Sequence, residues 1–207
     1  MAAALTVVST TVMAQTSYPW MDTSKSFRER AELLCRELTL REKVDQLGNN
    51  VSEPIKRDGQ VILPSYQYWN EALHGVARSG AATSFPESKG MSATWDEMLV
   101  RACAEAISDE ARIYHETKGK GLNYWSPTIN MARDPRWGRE EENYGEDPLL
   151  AGRLAVEFIK GFQGEITPAT PYYKLVACAK HFAANNYEQG RQSTTSVSYT
   201  HLTLPTI

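Results

Sequence analysis

The feature that most constrains the fold is alternation: capped, helix-type segments take turns with short apolar runs from Ser26 to Ala179. Ser26 and Glu29 have the spacing of a capping box, and Phe27, Ala31, Leu34 and Leu38 then share one helical face. Thr39 and Glu42 repeat the box ahead of Leu40, Val44, Leu47 and a terminating Gly48. The aromatic-rich LPSYQYWNEALHG reads as a strand leaving into a loop. Thr94 and Glu97 open a third helix that turns Leu99, Ala102, Cys103, Ala106 and Ile107 inward and stops at Gly119. LNYWSPTIN is a short strand broken by Pro127. Asp147 then Pro148 start a helix through Leu150, Leu154 and Phe158 to Gly164, and KLVACA is the next strand.

Such an order favours an α/β fold with a parallel sheet or a barrel. No repeat or low-complexity linker interrupts it, so one domain suffices. In a (β/α)8 barrel, functional groups collect at the C-terminal ends of strands. Glu71, Arg139 and the Lys180–His181 pair all fall just after predicted strands. A full barrel takes roughly 250 residues, whereas about 180 remain here without the two ends, so only part of a barrel is expected.

Those ends differ from the middle. Residues 1–14 are small and apolar, with Val12 and Ala14 placed as in an A-x-A-like cleavage site. They read as a signal peptide lacking a basic start, which predicts a periplasmic or secreted protein. The stretch is too short to span a membrane. At the other end, VSYTHLTLPT (Val197–Thr206) looks like a translated sequencing adapter, which makes residues 197–207 a non-native tail and 15–196 the domain itself. The alternative is a β-rich terminal strand, which the absence of capping or turn signals disfavours.

A net charge of −3 argues against a nucleic-acid partner or an anionic membrane. Three cysteines do not suit a disulfide framework; Cys35, Cys103 and Cys178 read as buried, unpaired thiols. No Cys/His spacing suits zinc, and no Gly-rich phosphate loop or G-x-S-x-G elbow occurs.

Carboxylate, guanidinium, ammonium and imidazole, ringed by aromatics, suit a neutral polyhydroxylated ligand such as a sugar. Consecutive strand residues face opposite ways, so Lys180 and His181 reach one ligand together only if the backbone between them is irregular, a non-proline cis peptide being the candidate. Blander readings compete. Glu71 would cap a helix at EALHG, Arg139 would pair with Glu140–Glu142, and Arg133 and Arg136 would do only that. The acids of EENYGEDP read as capping (Asp147) or as partners of nearby arginines, and His74, His115 and His201 as structural.

Six ordered motifs add a resemblance: RAELLCRELTLREKVDQL, YWNEALHGVA, SFPESKGMSATWD, SPTINMARDPRWGREEENYGEDP, VEFIKGFQG and KLVACAKHFAANN. Together they resemble glycoside hydrolase family 3, in its β-xylosidase and β-glucosidase branches. The resemblance implies the N-terminal part of a (β/α)8 TIM-like barrel, incomplete here, from an exo-acting retaining β-glycosidase without metal or organic cofactor. It implies that Glu71, Arg139, Lys180 and His181 bind sugar hydroxyls, the last two as a donor pair to adjacent hydroxyls. Trp125 stands where xylosidase-like members carry an aromatic and would crowd the hydroxymethyl of glucose. The implied substrate is therefore a xylo-oligosaccharide or aryl β-glycoside, with β-glucosidase activity or a non-catalytic carbohydrate-binding role as alternatives. The family's nucleophilic Asp and acid/base Glu lie on motifs that do not occur in these residues, so no catalytic residue is assigned and the chain alone is expected to be inactive. Nothing in the sequence indicates an oligomeric state.

Overall fold

The computed structural model describes residues 18–48, 51–182, 185, 186 and 188. The expected signal peptide, the expected adapter tail and His201 lie outside them. The described residues fall into two compact units.

The smaller unit comprises residues 18–47 and 54–64. Helix α1 (Phe27–Glu37) begins at Ser26 and helix α2 (Leu40–Asp45) at Thr39, each through a complete capping box with Glu29 or Glu42. A hairpin of β1 (Ile55–Arg57) and β2 (Gln60–Leu63) turns through Asp58 and Gly59, both at positive φ, the geometry that Asp-Gly favours in a two-residue turn. Arg57 holds the Glu42 carboxylate through two bonds of 2.8 and 2.7 Å. That pairing and the Thr39 N–H hold the carboxyl down to about 2. Trp20, Leu38, Ile55 and Ile62 form a small core, with Leu33 and Leu34 packed against it. The expected helix face is only partly right: Phe27 and Ala31 are exposed, as are Leu40, Val44 and Leu47. This unit buries Leu38, just past the end of α1, and leaves Leu33 and Leu34 half-buried; no residue within α1 itself is buried.

The larger unit contains the remaining described residues. Its framework is α3 (Ser88–Ser92), α4 (Glu97–Lys118), β3 (Asn123–Tyr124), α5 (Pro148–Gln163) and β4 (Val176–Ala177). Strands β3 and β4 are parallel, with α5 in the connection between them, and the bridge Thr128–Lys180 continues the pairing past their ends. The longest helix, α4, is capped by Asp96, whose side chain accepts from Leu99 N, rather than by the expected Thr94, which donates to the Met91 carbonyl. It ends at Gly119 in the left-handed conformation, as its sequence predicts.

The buried stripe of α4 is Val100, Cys103, Ala104, Ile107, Ser108 and Ala111, at clean helical spacing. The expected Leu99, Ala102 and Ala106 face solvent instead. Small residues win the inner face because α5 approaches closely: a Cβ on Gly161 would sit 2.4 Å from the Arg101 carbonyl oxygen. Helix α5 starts at Asp147, which accepts from Leu149 N and Leu150 N, and inserts Leu154, Phe158 and Phe162 between α4 and the strands. Tyr124 of β3 packs edge-on to Phe162 at 5.6 Å. Each large side chain buried completely here contributes roughly 1.5–3 kcal/mol by removal from water.

Two expectations need correction. Past Leu63, which closes β2, LPSYQYWNEALHG is not a strand; isolated bridges occur there, Val51–Gln67 and Glu71–Ala77. It is tied to the β3 segment instead: Asn123 Nδ2 donates to the Tyr68 carbonyl at 2.7 Å, Trp125 N to the Asn70 carbonyl, and Asn70 Nδ2 back to the Asn123 carbonyl at 2.9 Å. Only Cys103 of the three thiols is buried; Cys35, on a helix with no buried residue, and Cys178, just past β4, are exposed.

Candidate functional site

Three segments of the larger unit run side by side, tied by Trp125 N to the Asn70 carbonyl at 2.8 Å, Ala72 N to Ser126 Oγ at 3.1 Å, and Lys180 N to the Pro127 carbonyl at 3.0 Å. Each ends in polar or aromatic residues. The first supplies Trp69 and Glu71, the second Trp125, the third Lys180 and His181. A fourth piece, the short turn Glu140–Glu142, follows Arg139. These side chains line one cavity of about 690 Å³, together with Arg78, Glu142, Asn185 and Glu188. All five residues singled out in the sequence, Glu71, Trp125, Arg139, Lys180 and His181, therefore share one cleft. The Lys180–His181 peptide is cis, and both side chains face the cavity.

Charge is arranged in two linked pairs. Glu71 Oε1 lies 3.5 Å from Lys180 Nζ, and Oε2 accepts from Arg78 Nε at 3.1 Å. Arg139 grips Glu142 through bonds of 2.8 and 2.6 Å and places Nη1 3.4 Å from His181 Nε2. Burial pushes the Glu71 carboxyl up, but Lys180, Arg78 and the Trp69 indole together hold it below its ordinary value. Burial is also the largest influence on Lys180 and brings its pKa down, with Glu71 opposing and Arg139 adding to the shift. Burial, then the charges of Arg139 and Lys180, lower His181 to about 4, so its imidazole is neutral near pH 7. The Glu142 hydrogen bonds raise Arg139 further. The cleft thus sets anionic Glu71 beside Lys180 and Arg78, with Arg139 next to a neutral imidazole.

Trp69 and Trp125 lie side by side, ring centroids 6.3 Å apart, and Arg78 sits 5.1 Å over the Trp69 ring. Glu71 does not cap a helix. Arg139 does pair with a neighbouring acid, Glu142, and still lines the cavity. Arg136 pairs with Asp134 at 2.6 Å rather than with the following glutamates, and Glu140 takes Lys89 at 2.9 Å. His74 and His115 are structural: their Nδ1 atoms meet the carbonyls of Phe85 and Lys120. Among the described residues, no three His, Cys, Asp or Glu side chains gather as a metal site.

The sequence profile described as "Glycosyl hydrolase family 3 N terminal domain" matches residues 35–204. The chain belongs to glycosyl hydrolase family 3. Among curated family members, it is 42% identical over 182 residues to the exo-1,4-β-xylosidase bxlB of Emericella nidulans, covering 83% of this chain and 23% of that protein. It is 40% identical over 178 residues to β-xylosidase/α-L-arabinofuranosidase 1 of Medicago sativa subsp. varia, covering 81% and 22%. Among solved family 3 structures, an exo-β-xylosidase in complex with a xylobiose aziridine probe matches with a TM-score of 0.69 and 36% identity, over 84% of this chain and 23% of that one. β-Glucosidase 3B of Thermotoga neapolitana, in complex with α-D-glucose, matches at 0.57 and 27%, over 77% and 24%. The chain thus spans under a quarter of the length of these relatives. Its fold class is the α/β, TIM-like barrel of the family, of which it forms an N-terminal part.

Sequence reasoning did not single out Trp69, Arg78, Asn130 or Glu142. For Trp69 a signal existed: in an extended segment, residues two apart share a face, so Trp69 accompanies Glu71. Nothing local marks Arg78 or Asn130, whose partners are brought by folding.

Proposed function

We propose that this chain is the sugar-holding part of an exo-acting, retaining β-glycosidase that releases terminal β-linked xylose from xylo-oligosaccharides. The observation that carries the reading is the convergence of Glu71, Arg139, Lys180 and His181 on one cavity beside Trp69 and Trp125. Glu71 accepts from hydroxyls, Arg139 and Lys180 donate to them, and indole surface covers the C–H face of a ring. The xylosidase names of relatives near 40% identity support xylose as the sugar. So does the paired tryptophan wall, which leaves a pentose more room than a hexose with its hydroxymethyl group.

Retaining hydrolysis needs a nucleophilic carboxylate and an acid/base carboxyl about 5–5.5 Å apart. Glu71 and Glu142 are each held by a cation, and Glu188 Oε1 accepts from Trp137 Nε1 at 3.2 Å. None of them is given either role. In this reading the 207-residue chain binds sugar without turning it over, and hydrolysis belongs to longer family members. Export to a periplasm or the cell exterior is part of the same proposal, supported by the leader-like residues 1–14.

A second reading, β-glucosidase, is favoured by the likeness to a solved β-glucosidase that holds glucose. Assays on nitrophenyl β-xyloside and nitrophenyl β-glucoside, with sugar-dependent thermal shifts of the same chain, separate the possibilities. The expected result is stabilisation by xylose above that by glucose, with no hydrolysis of either glycoside. Greater stabilisation by glucose overturns the xylose assignment, and hydrolysis by the purified chain overturns the binding-only assignment.

A further inference from the structure

Asn130 stands just past the Thr128–Lys180 bridge, behind the cavity wall. Its Oδ1 accepts the His181 backbone N–H at 3.1 Å, while its Nδ2 donates to the Asn185 carbonyl at 2.7 Å and to Asn186 Oδ1 at 3.1 Å. A backbone N–H only donates and a backbone carbonyl only accepts, so these contacts fix which end of the amide is oxygen. The same Oδ1 lies 2.8 Å from His181 Nδ1. An amide oxygen has no proton to give; the proton between them sits on Nδ1. A neutral imidazole carries one such proton, which leaves Nε2 bare. On that side Nε2 meets Arg139 Nη1 at 3.4 Å, a group that can only donate. A bare nitrogen accommodates that neighbour, whereas an N–H would confront it.

We propose that Asn130 is a positioning residue that holds His181 in the Nδ1–H tautomer and leaves Nε2 as a hydrogen-bond acceptor at the cavity wall. Burial and the two nearby cations keep the ring neutral, which maintains the acceptor near pH 7. The consequence for the ligand rests on the sugar-binding reading above. Lys180 donates to one ligand oxygen, while His181 Nε2, which faces Arg139 Nη1 at 3.4 Å without ligand, takes the hydrogen of a hydroxyl in place of that contact. The pair is then a donor beside an acceptor, not the two donors expected from the sequence. Such a couple selects a ligand group that both accepts and donates, which a hydroxyl does and an ether oxygen does not.

Long-range proton–nitrogen NMR of the 207-residue chain labelled with ¹⁵N-histidine reads the tautomer directly. The His181 signals are assigned by their loss in His181→Gln. Near pH 7 and without ligand, Nδ1 is expected as a protonated, pyrrole-type nitrogen and Nε2 as a pyridine-type nitrogen. The reverse pattern overturns the proposal. In Asn130→Ala the population is expected to move towards Nε2–H, and an unchanged pattern in the folded variant overturns the role of Asn130. Asn130→Asp keeps an acceptor oxygen and is expected to retain Nδ1–H; loss of that tautomer there also counts against the proposal. Xylose is then added to the wild-type chain. A shift at Nε2 supports the sugar reading, and no shift contradicts that reading while the ligand-free spectra still decide the role of Asn130.

Discussion

Lys180 Nζ lies 3.5 Å from Glu71 Oε1 across the cavity, joining two segments distant in sequence. The Lys180 side chain is only 8% exposed and that of Glu71 23%, so each charge depends on the other for compensation lost with water. The pair also presents an acceptor beside a donor to any ligand in the cleft. Glu71→Gln is expected to weaken xylose binding by about 1.5–3 kcal/mol, the scale of a hydrogen bond to a charged group. Titration calorimetry against the wild type measures it. Undiminished binding would detach Glu71 from the ligand.

In the proposed reading, the tryptophan wall governs which sugar fits. Trp125→Ala and Trp69→Ala are expected to narrow the preference for xylose over glucose, by up to ~1–3 kcal/mol, the range of a small steric difference in a pocket. Parallel titrations with the two sugars read the ratio. A lower affinity for both at an unchanged ratio would mean that the rings provide surface but no selection.

Acid weakens the fold through the cavity. His181 is held down to about 4 in the folded chain against an ordinary value of 6.5. Between those values the unfolded chain takes up a proton that the folded one refuses, so stability falls as pH drops from about 6.5 to about 4. Glu71, also lowered, adds a loss in the same direction as pH falls through its depressed value. Urea midpoints across this range test the sign. In His181→Gln the decline between about 6.5 and about 4 is expected to shrink, and an identical slope would contradict the assignment.

The contact between α4 and α5 has no room for a methyl group. A Cβ at Gly161 would meet the Arg101 carbonyl oxygen at 2.4 Å and Ala104 Cβ at 3.1 Å. Gly161→Ala is expected to destabilise the chain by about 1–3 kcal/mol, as overpacking of a core does. Exposed Gly152, with nothing near its Cβ position, serves as the control. Gly152→Ala is expected to stabilise slightly, by removing a glycine from within a helix. Equal effects of the two changes would remove the close approach as the cause.

Local chemistry explains which parts of this fold the sequence disclosed. The two capping boxes, the Asp147–Pro148 start and the Gly119 stop depend on neighbours a few residues away, and each stands where its residues predict. The inner face of α4 did not follow its larger residues, because Gly161 brings α5 so near that Ala104 and Ser108 fit where Leu99 does not. The stretch around Trp69 reads as a strand by composition, yet it is tied to its neighbour by the Asn123 side chain on the Tyr68 carbonyl, by Trp125 N on the Asn70 carbonyl, and by the Asn70 side chain on the Asn123 carbonyl, not by a ladder. At the cavity, Glu71, Arg139, Lys180 and His181 are visible as motifs, whereas Arg78 is an unmarked surface-type cation and Asn130 an ordinary loop amide until folding sets Glu71 and His181 against them.

The central claim is that one cavity gathers these side chains around a single sugar ring. A crystal structure of the chain soaked with xylose tests it most directly. The account predicts one xylose in the cleft, with Glu71, Arg139, Lys180 and His181 each within hydrogen-bond distance of its hydroxyls and an indole against its carbon face. A cleft left empty at saturating xylose, or a sugar bound only elsewhere on the chain, would contradict it.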